Sequence, residues 1–432
     1  MKLRISVSTI VQYLLIYFLL LCHDAGIYRM NSLTIRNVIL CGTIMILLIY
    51  RARVPQRVWL YGVFIIAVMK FLKFVHSDAA FDYELNILLE HLLIAYTAFI
   101  INKNKFSTRF VRTIVWFAGA SLFCFTMANT MPHVLENILI SEYELPWAGG
   151  YTVYAKGWLI YVYRSFETFR NCGIYTEPGV YQIVLSAALY LLLFCSTAID
   201  ISKQKQFVWS IILVATMITT TSTTGYMSLA VLLLAGALQN KKIFPNHRKL
   251  RWLCVMGIIC IIGEWMINGE SSIIESNVFS KFESMEGINS ESLSMDAMMS
   301  SSGNARLAVL TETIPVILTK PFGVGFTTFY GLLNLLYKGN AAGARLLIYA
   351  SSMGIVCLCA ILYPLFRRAF QNRGTVYAFV AYVFIFLNTG FAQSKALYAS
   401  FAVIPFVLEY IGQQQKKNSV EQREDTVYPS GE

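Results

Sequence analysis

Long apolar stretches alternate with short polar connections along most of the chain, at about 5–22, 34–50, 58–75, 85–101, 112–129, 179–198, 207–221, 225–239, 251–267, 344–366, 375–393 and 397–412. A helix needs roughly 20 mostly apolar residues to cross the hydrocarbon core. It also satisfies its own backbone polar groups, which an open sheet in lipid cannot do. The pattern therefore predicts an all-α polytopic transmembrane helix bundle of about 12 spans. The spans form a single membrane domain over 1–412, and the polar tail 413–432 is expected to be a disordered cytoplasmic segment. The first stretch begins with Lys2 and Arg4 and lacks an A-x-A cleavage site, so it reads as an uncleaved helix. Thr219 to Gly225 interrupts two apolar stretches with hydroxyl residues and predicts a helical hairpin with capped ends.

Two connections are long, 130–178 and 268–343, and long loops on a helical scaffold are where chemistry concentrates. In the first, the aromatics Tyr151, Tyr154, Trp158, Tyr161, Tyr163, Phe166 and Phe169 predict a helix lying along the membrane surface. The second opens on the Ser/Met/Glu-rich stretch Gly269 to Asn304. It continues into an expected helix, Ala305 to Leu318, which carries Pro315.

Composition sharpens the class. Apolar residues make up 56% of the 432 and charged residues only 14%, against about 25% charged in soluble domains. That argues against a soluble enzyme. The net charge of +11 could suggest nucleic acid, but the cations lie in short clusters between apolar stretches rather than on one domain. Alternate connections and the two termini hold 22 of the 35 Lys and Arg. By the positive-inside rule those connections and both termini are cytoplasmic, and the two long loops are outside. The nine Cys show no CxxC or Cys/His spacing, and the five His are scattered, so neither a metal site nor a cofactor is expected. There is no G-x-S-x-G and no H-E-x-x-H.

Four constellations could carry chemistry. The first is Arg164-Ser-Phe-Glu-Thr-Phe-Arg170-Asn-Cys-Gly-Ile-Tyr-Thr-Glu177-Pro178-Gly179, directly before an apolar stretch. Arginine is always charged and its planar fork matches phosphate oxygens, so Arg164 and Arg170 could hold a pyrophosphate. A structural role is also open. Pro178 suits the first helical position, Glu177 would favour the positive helix end, and the arginines could reach to headgroups. The second is Gly303-Asn-Ala-Arg306, then Lys320-Pro-Phe-Gly323-Val-Gly325, where the glycines predict a tight turn bringing N–H groups toward an anion. The third is a set of ionisable residues within apolar stretches: Arg36, Lys70, Lys73, Glu90 and His91. Lys70 or Lys73 pairing with Glu90 is one reading; a basic cavity for an anionic lipid headgroup is the other. The fourth is the Thr/Ser turn ending in Gly225, read as a capped hairpin.

The order of these features resembles the O-antigen polymerase and O-antigen ligase family of bacterial polysaccharide membrane proteins. The match rests on Arg170-Asn-Cys-Gly-Ile-Tyr-Thr-Glu177-Pro178, the turn ending in Gly225, Asn304-Ala-Arg306, Lys320-Pro-Phe-Gly323-Val-Gly325 and Gly354, and covers about 165–360. The resemblance implies a multi-pass protein of the bacterial cytoplasmic membrane. It implies a metal-independent, cofactor-free polymerase that joins oligosaccharide units carried on undecaprenyl pyrophosphate at the outer face, making O-antigen, capsule or exopolysaccharide. Its partners would be that lipid-linked oligosaccharide and the bilayer, with a chain-length regulator and a flippase alongside, and no nucleic acid. Arg170, Glu177 and Arg306 would be catalytic. Arg164, Tyr175, Gln182, Lys320, Gly323 and Gly325 would bind substrate. Two departures favour a polymerase over a ligase: no His lies between 268 and 343, and Ser222 is followed by Thr223 where family members often carry Arg. A ligase-type glycan transferase, and a flippase or transporter for lipid-linked sugars, are the alternatives.

Overall fold

A computed structural model describes residues 6–22, 25, 32–50, 56–139, 141–146, 152–157, 159–238, 312–337, 345–371, 379–380 and 403–414. Arg306, the apolar stretch 251–267, nearly all of 375–393 and the tail from 415 lie outside the described residues.

The described chain is mostly helical, in the order α1 (Val7–Leu21), α2 (Ser32–Ile49), α3 (Gln56–His76), α4 (Ala80–Ile101), α5 (Lys103–Thr130), α6 (Pro132–Ile138), α7 (Pro178–Phe194), α8 (Lys203–Thr219), α9 (Thr223–Leu238), α10 (Phe326–Tyr337), α11 (Arg345–Met353) and α12 (Ile355–Gln371). Residues 312–319 and 403–414 are helical as well. Local chemistry sets several boundaries. The Asn102 side chain accepts from Lys105 N and starts α5, and Ser202 does the same for α8. Pro178 occupies the first turn of α7, where its missing N–H costs nothing.

α7 is the centre of the bundle, with every residue except Gly179 buried. It packs against α5, α8 and α9, while α1 packs on α4, and α4 in turn on α3 and α2. α8 and α9 form the hairpin expected from the Thr/Ser turn.

By length and hydropathy, three described helices could each cross a membrane: Val58–His76, Ala80–Ile101 and Lys103–Thr130. Shorter apolar helices include Pro178–Phe194, whose 17 residues rise about 26 Å. Only 17% of the most apolar window of Val58–His76 is buried, and Trp59 and Phe74 stand exposed. An apolar helix face left uncovered on this scale belongs against lipid, and the protein is a helical membrane protein.

Two expectations are corrected. The stretch 344–366 is not one straight span, because α11 and α12 meet at Gly354 with a bend of 118°. Gly354 has φ +81°, and a Cβ there would sit 2.2 Å from Pro321 O. The carbonyls freed at the break are not left bare: Ser351 O accepts from Val324 N at 3.0 Å, and Ser352 O from Gly325 N at 2.9 Å.

The aromatic region after 140 does not form a surface helix. It forms a three-stranded antiparallel sheet of β1 (Ser141–Pro146), β2 (Thr152–Gly157) and β3 (Val162–Tyr163). β1 and β2 pair from Ser141↔Gly157 to Pro146↔Thr152. Thr, Val and Tyr in Thr152–Gly157 favour a pleated surface. Tyr161 and Tyr163 pack with Cys124, Ala128, Leu135 and Leu139, which fixes the sheet to the end of α5 and to α6.

Candidate functional site

The segment 164–177 connects β3 to α7 and is held in place from three sides. Asn171 N donates to Thr219 O at 2.8 Å, and Asn171 Nδ2 donates to Ser121 Oγ at 3.2 Å and Thr219 Oγ1 at 3.0 Å. This ties the loop to α5 and to the α8–α9 turn. Tyr175 is buried, pairs with Ala25, and its hydroxyl donates to Leu20 O at 3.3 Å. Gly173 adopts φ +56°, and a Cβ there would lie 2.5 Å from the Tyr181 ring, so both backbone and space demand glycine.

A one-turn 3₁₀ helix over Ser165–Glu167 follows Arg164. Residues at i and i+3 eclipse in that geometry, which stacks Arg164, Glu167 and Arg170 on one edge. Arg164 Nη2 lies 3.0 Å from Glu167 Oε2, and Arg164 Nη1 lies 3.4 Å from Glu177 Oε2. Arg164 Nη1 also donates to Thr176 O at 3.3 Å. Arg170 Nη1 donates to both Glu167 oxygens at 3.3 Å. Among the described residues, two cations and two carboxylates thus form one compact cluster.

The two arginines are not equivalent. The Arg164 side chain is fully buried, whereas that of Arg170 is 23% exposed. Arg170 Nε is buried without a hydrogen-bond partner among the described residues. Burial opposes the charge on Arg164, but Cys172, Glu177 and Glu167 outweigh it and raise its pKa. The Cys172 thiol is pushed up to about 11, first by burial, so it is no thiolate nucleophile at neutral pH. Glu177 is the N-cap residue of α7, yet its side chain makes no capping hydrogen bond. It reaches Arg164 instead.

Among the sequence candidates, Arg164, Arg170, Tyr175 and Glu177 therefore come together on one segment. Gln182 lies further along α7, fully buried, with Nε2 donating to Thr224 Oγ1 at 3.4 Å; its Cβ is 3.3 Å from where a Cβ on Gly225 would be. Glu167 and Asn171 had no assigned role in the sequence reading. The charge spacing Arg164–Glu167–Arg170 was the available signal for Glu167.

Lys320, Gly323 and Gly325 belong to a different junction. Lys320 is exposed. The N–H groups of Gly323, Val324 and Gly325 are donated to Lys320 O, Ser351 O and Ser352 O. The turn therefore spends on the protein the donors that an anion would need. A Cβ on Gly323 would meet Ser352 O at 2.3 Å. Asp78, in the α3–α4 turn, accepts from Thr327 N at 2.8 Å and Thr327 Oγ1 at 2.6 Å and starts α10. Burial pushes the Asp78 carboxyl up, but the hydrogen bonds from Thr327, Ala80 and Phe326 outweigh it and hold it below the ordinary range.

The ionisable residues of the apolar stretches are paired differently from expectation. Lys70 and Lys73 bind Asp82, at 2.7 and 2.5 Å, not Glu90. Glu90 is bound by Arg36 at 2.7 Å, and His91 Nδ1 lies 2.7 Å from Ile87 O. Among the described residues, no group of three or more His, Cys, Asp or Glu could hold a metal ion. No protein-family model and no curated protein matches the chain.

Proposed function

We propose that the chain is a membrane glycosyltransferase that joins oligosaccharide units carried on undecaprenyl pyrophosphate. It would act as a polysaccharide polymerase on the outer face of the bacterial cytoplasmic membrane. The observation that carries this reading is the arginine pair sharing Glu167, with Arg170 the partly exposed member. A hydroxyl of the incoming unit attacks C1 of the growing chain. The bond from C1 to the pyrophosphate oxygen breaks, undecaprenyl pyrophosphate leaves, and the hydroxyl proton passes to a base. Negative charge accumulates on the leaving group, so a cation fixed beforehand stabilises the transition state more than the ground state. Arg170 takes that role. Arg164, locked between Glu167 and Glu177, positions the pair, and Glu177 orients it. Arg306 is assigned to the same pyrophosphate from the second long loop.

The test is reconstitution of the purified chain in vesicles with undecaprenyl-pyrophosphate-linked repeat units. The reading expects a ladder of longer lipid-linked glycans and stoichiometric release of undecaprenyl pyrophosphate. Transfer of one glycan to another acceptor without a ladder would mark a ligase. Movement of the lipid across the vesicle with no new glycosidic bond would mark a transporter. Either result contradicts the proposal.

A further inference from the structure

A cleft of about 410 Å³ opens between α2 and α4, lined by Arg36, Asn37, Asn86 and Glu90 together with Leu40, Leu89 and Leu93. Arg36 and Asn37 lie in the first two turns of α2, and Asn86 in the second turn of α4. The cleft thus spans the first half of α2 and the middle of α4. α1 links the cleft to the 164–177 segment: its C-cap residue Cys22 lies 3.8 Å from Glu90 Oε1, and Leu20 O receives the Tyr175 hydroxyl.

The lining has an unusual balance. The Glu90 side chain is 1% exposed and is paired with Arg36, whose Nε lies 2.7 Å from Glu90 Oε2. Asn37 and Asn86 are exposed and make no hydrogen bond among the described residues. Burying an ion pair in an apolar helix packing is costly, and such groups in a membrane bundle mark a binding or transport function by default. Among the described residues the lining holds one cation, one carboxylate and two neutral amides, with no surplus of cations to favour an anion. These groups offer donors and acceptors side by side, which is what hydroxyl groups require, since each hydroxyl both donates and accepts. The three leucines give the cleft an apolar lip suited to an alkyl chain, and its size falls in the range of small-molecule sites.

We propose that this cleft binds the uncharged, polyhydroxyl headgroup of a glycolipid, with Asn37, Asn86 and the Arg36–Glu90 pair on the sugar and Leu40, Leu89 and Leu93 on the chain. The site stands apart from the arginine cluster, and it holds whether or not the protein elongates glycans.

The experiment titrates radiolabelled dodecyl maltoside against the full chain in phosphatidylcholine nanodiscs. Wild type should show saturable binding to one site. Asn37→Leu and Asn86→Leu, which leave no buried charge behind, should melt as wild type. Each should weaken that binding about ten-fold, the loss of one or two hydrogen bonds. Dodecyl phosphocholine binding should be the same in all three proteins. Absence of saturable maltoside binding, or unchanged binding in both folded variants, would overturn the proposal. So would an equal loss of dodecyl phosphocholine binding, or competition by free maltose as effective as that of the glycolipid. Failure of the polymerase assay with these results intact would leave the cleft assignment standing.

Discussion

At the scale of single residues, Glu167 and Arg170 divide the work of the charged cluster. Glu167 touches both arginines, and Arg164 is fully buried, so removing the carboxylate takes from a desolvated cation the shorter of its two described carboxylate contacts, 3.0 Å against 3.4 Å to Glu177. Glu167→Gln should therefore cost about 3 kcal/mol of stability, read as a lowered melting temperature in detergent. A melt within error of wild type would show that Glu177 alone suffices for Arg164. Glycines give a second contrast. Gly323→Ala must push against backbone at φ +78° and should cost about 1–3 kcal/mol. Gly62→Ala, in α3 with nothing within 4 Å, should be neutral or stabilise by up to about 1 kcal/mol. Equal melting temperatures for the two would contradict the close approach of the 320–325 turn to the break at Gly354.

At the scale of elements, the Asp78 cap makes the start of α10 sensitive to acid. Its carboxyl is held below the ordinary value in the folded protein. Its stabilisation is therefore present above the unfolded pKa of about 4 and is lost as the pH falls through the depressed folded value. Asp78→Asn should lower the melting temperature at pH 7 by the worth of one helix cap, about 1 kcal/mol. It should also flatten the loss of stability below pH 4, and an unchanged acid profile would contradict the cap. The positions of α1 to α5 and α7 to α9 were legible because apolar stretches of span length leave a helix little competition. The break at Gly354 was not, since residues on both sides are apolar and the 321–325 turn that packs against the break is distant in sequence. The sheet at 141–163 was hidden by its aromatics, which serve a lipid-facing helix and a strand equally well. Partner choice among Lys70, Lys73, Asp82 and Glu90 depends on helix rotation, which spacing along α3 and α4 does not reveal. In the candidate site, Arg164, Arg170 and Glu177 were legible from residue type. That Glu177 would spend itself on Arg164 was not.

At the scale of the whole molecule, the loop 164–177, the α8–α9 turn and the end of α1 share one end of the bundle. Lys105 and Asp200 meet at the other. The proposed function requires the first end outside, as the positive-inside rule expects from the distribution of Lys and Arg. A cysteine at exposed Ser165 should react with a membrane-impermeant maleimide in intact cells, and one at exposed Lys203 only after lysis. The reverse pattern would invert the topology and remove the arginines from the face where lipid-linked glycans are joined. The central claim is that Arg170 stabilises a leaving pyrophosphate through its planar fork. Its most direct test is chain elongation by reconstituted Arg170→Lys, which keeps the charge at a partly exposed position but loses the bidentate geometry. The account predicts an unchanged melting temperature with the glycan ladder lost. A ladder of wild-type length from the folded variant would contradict it.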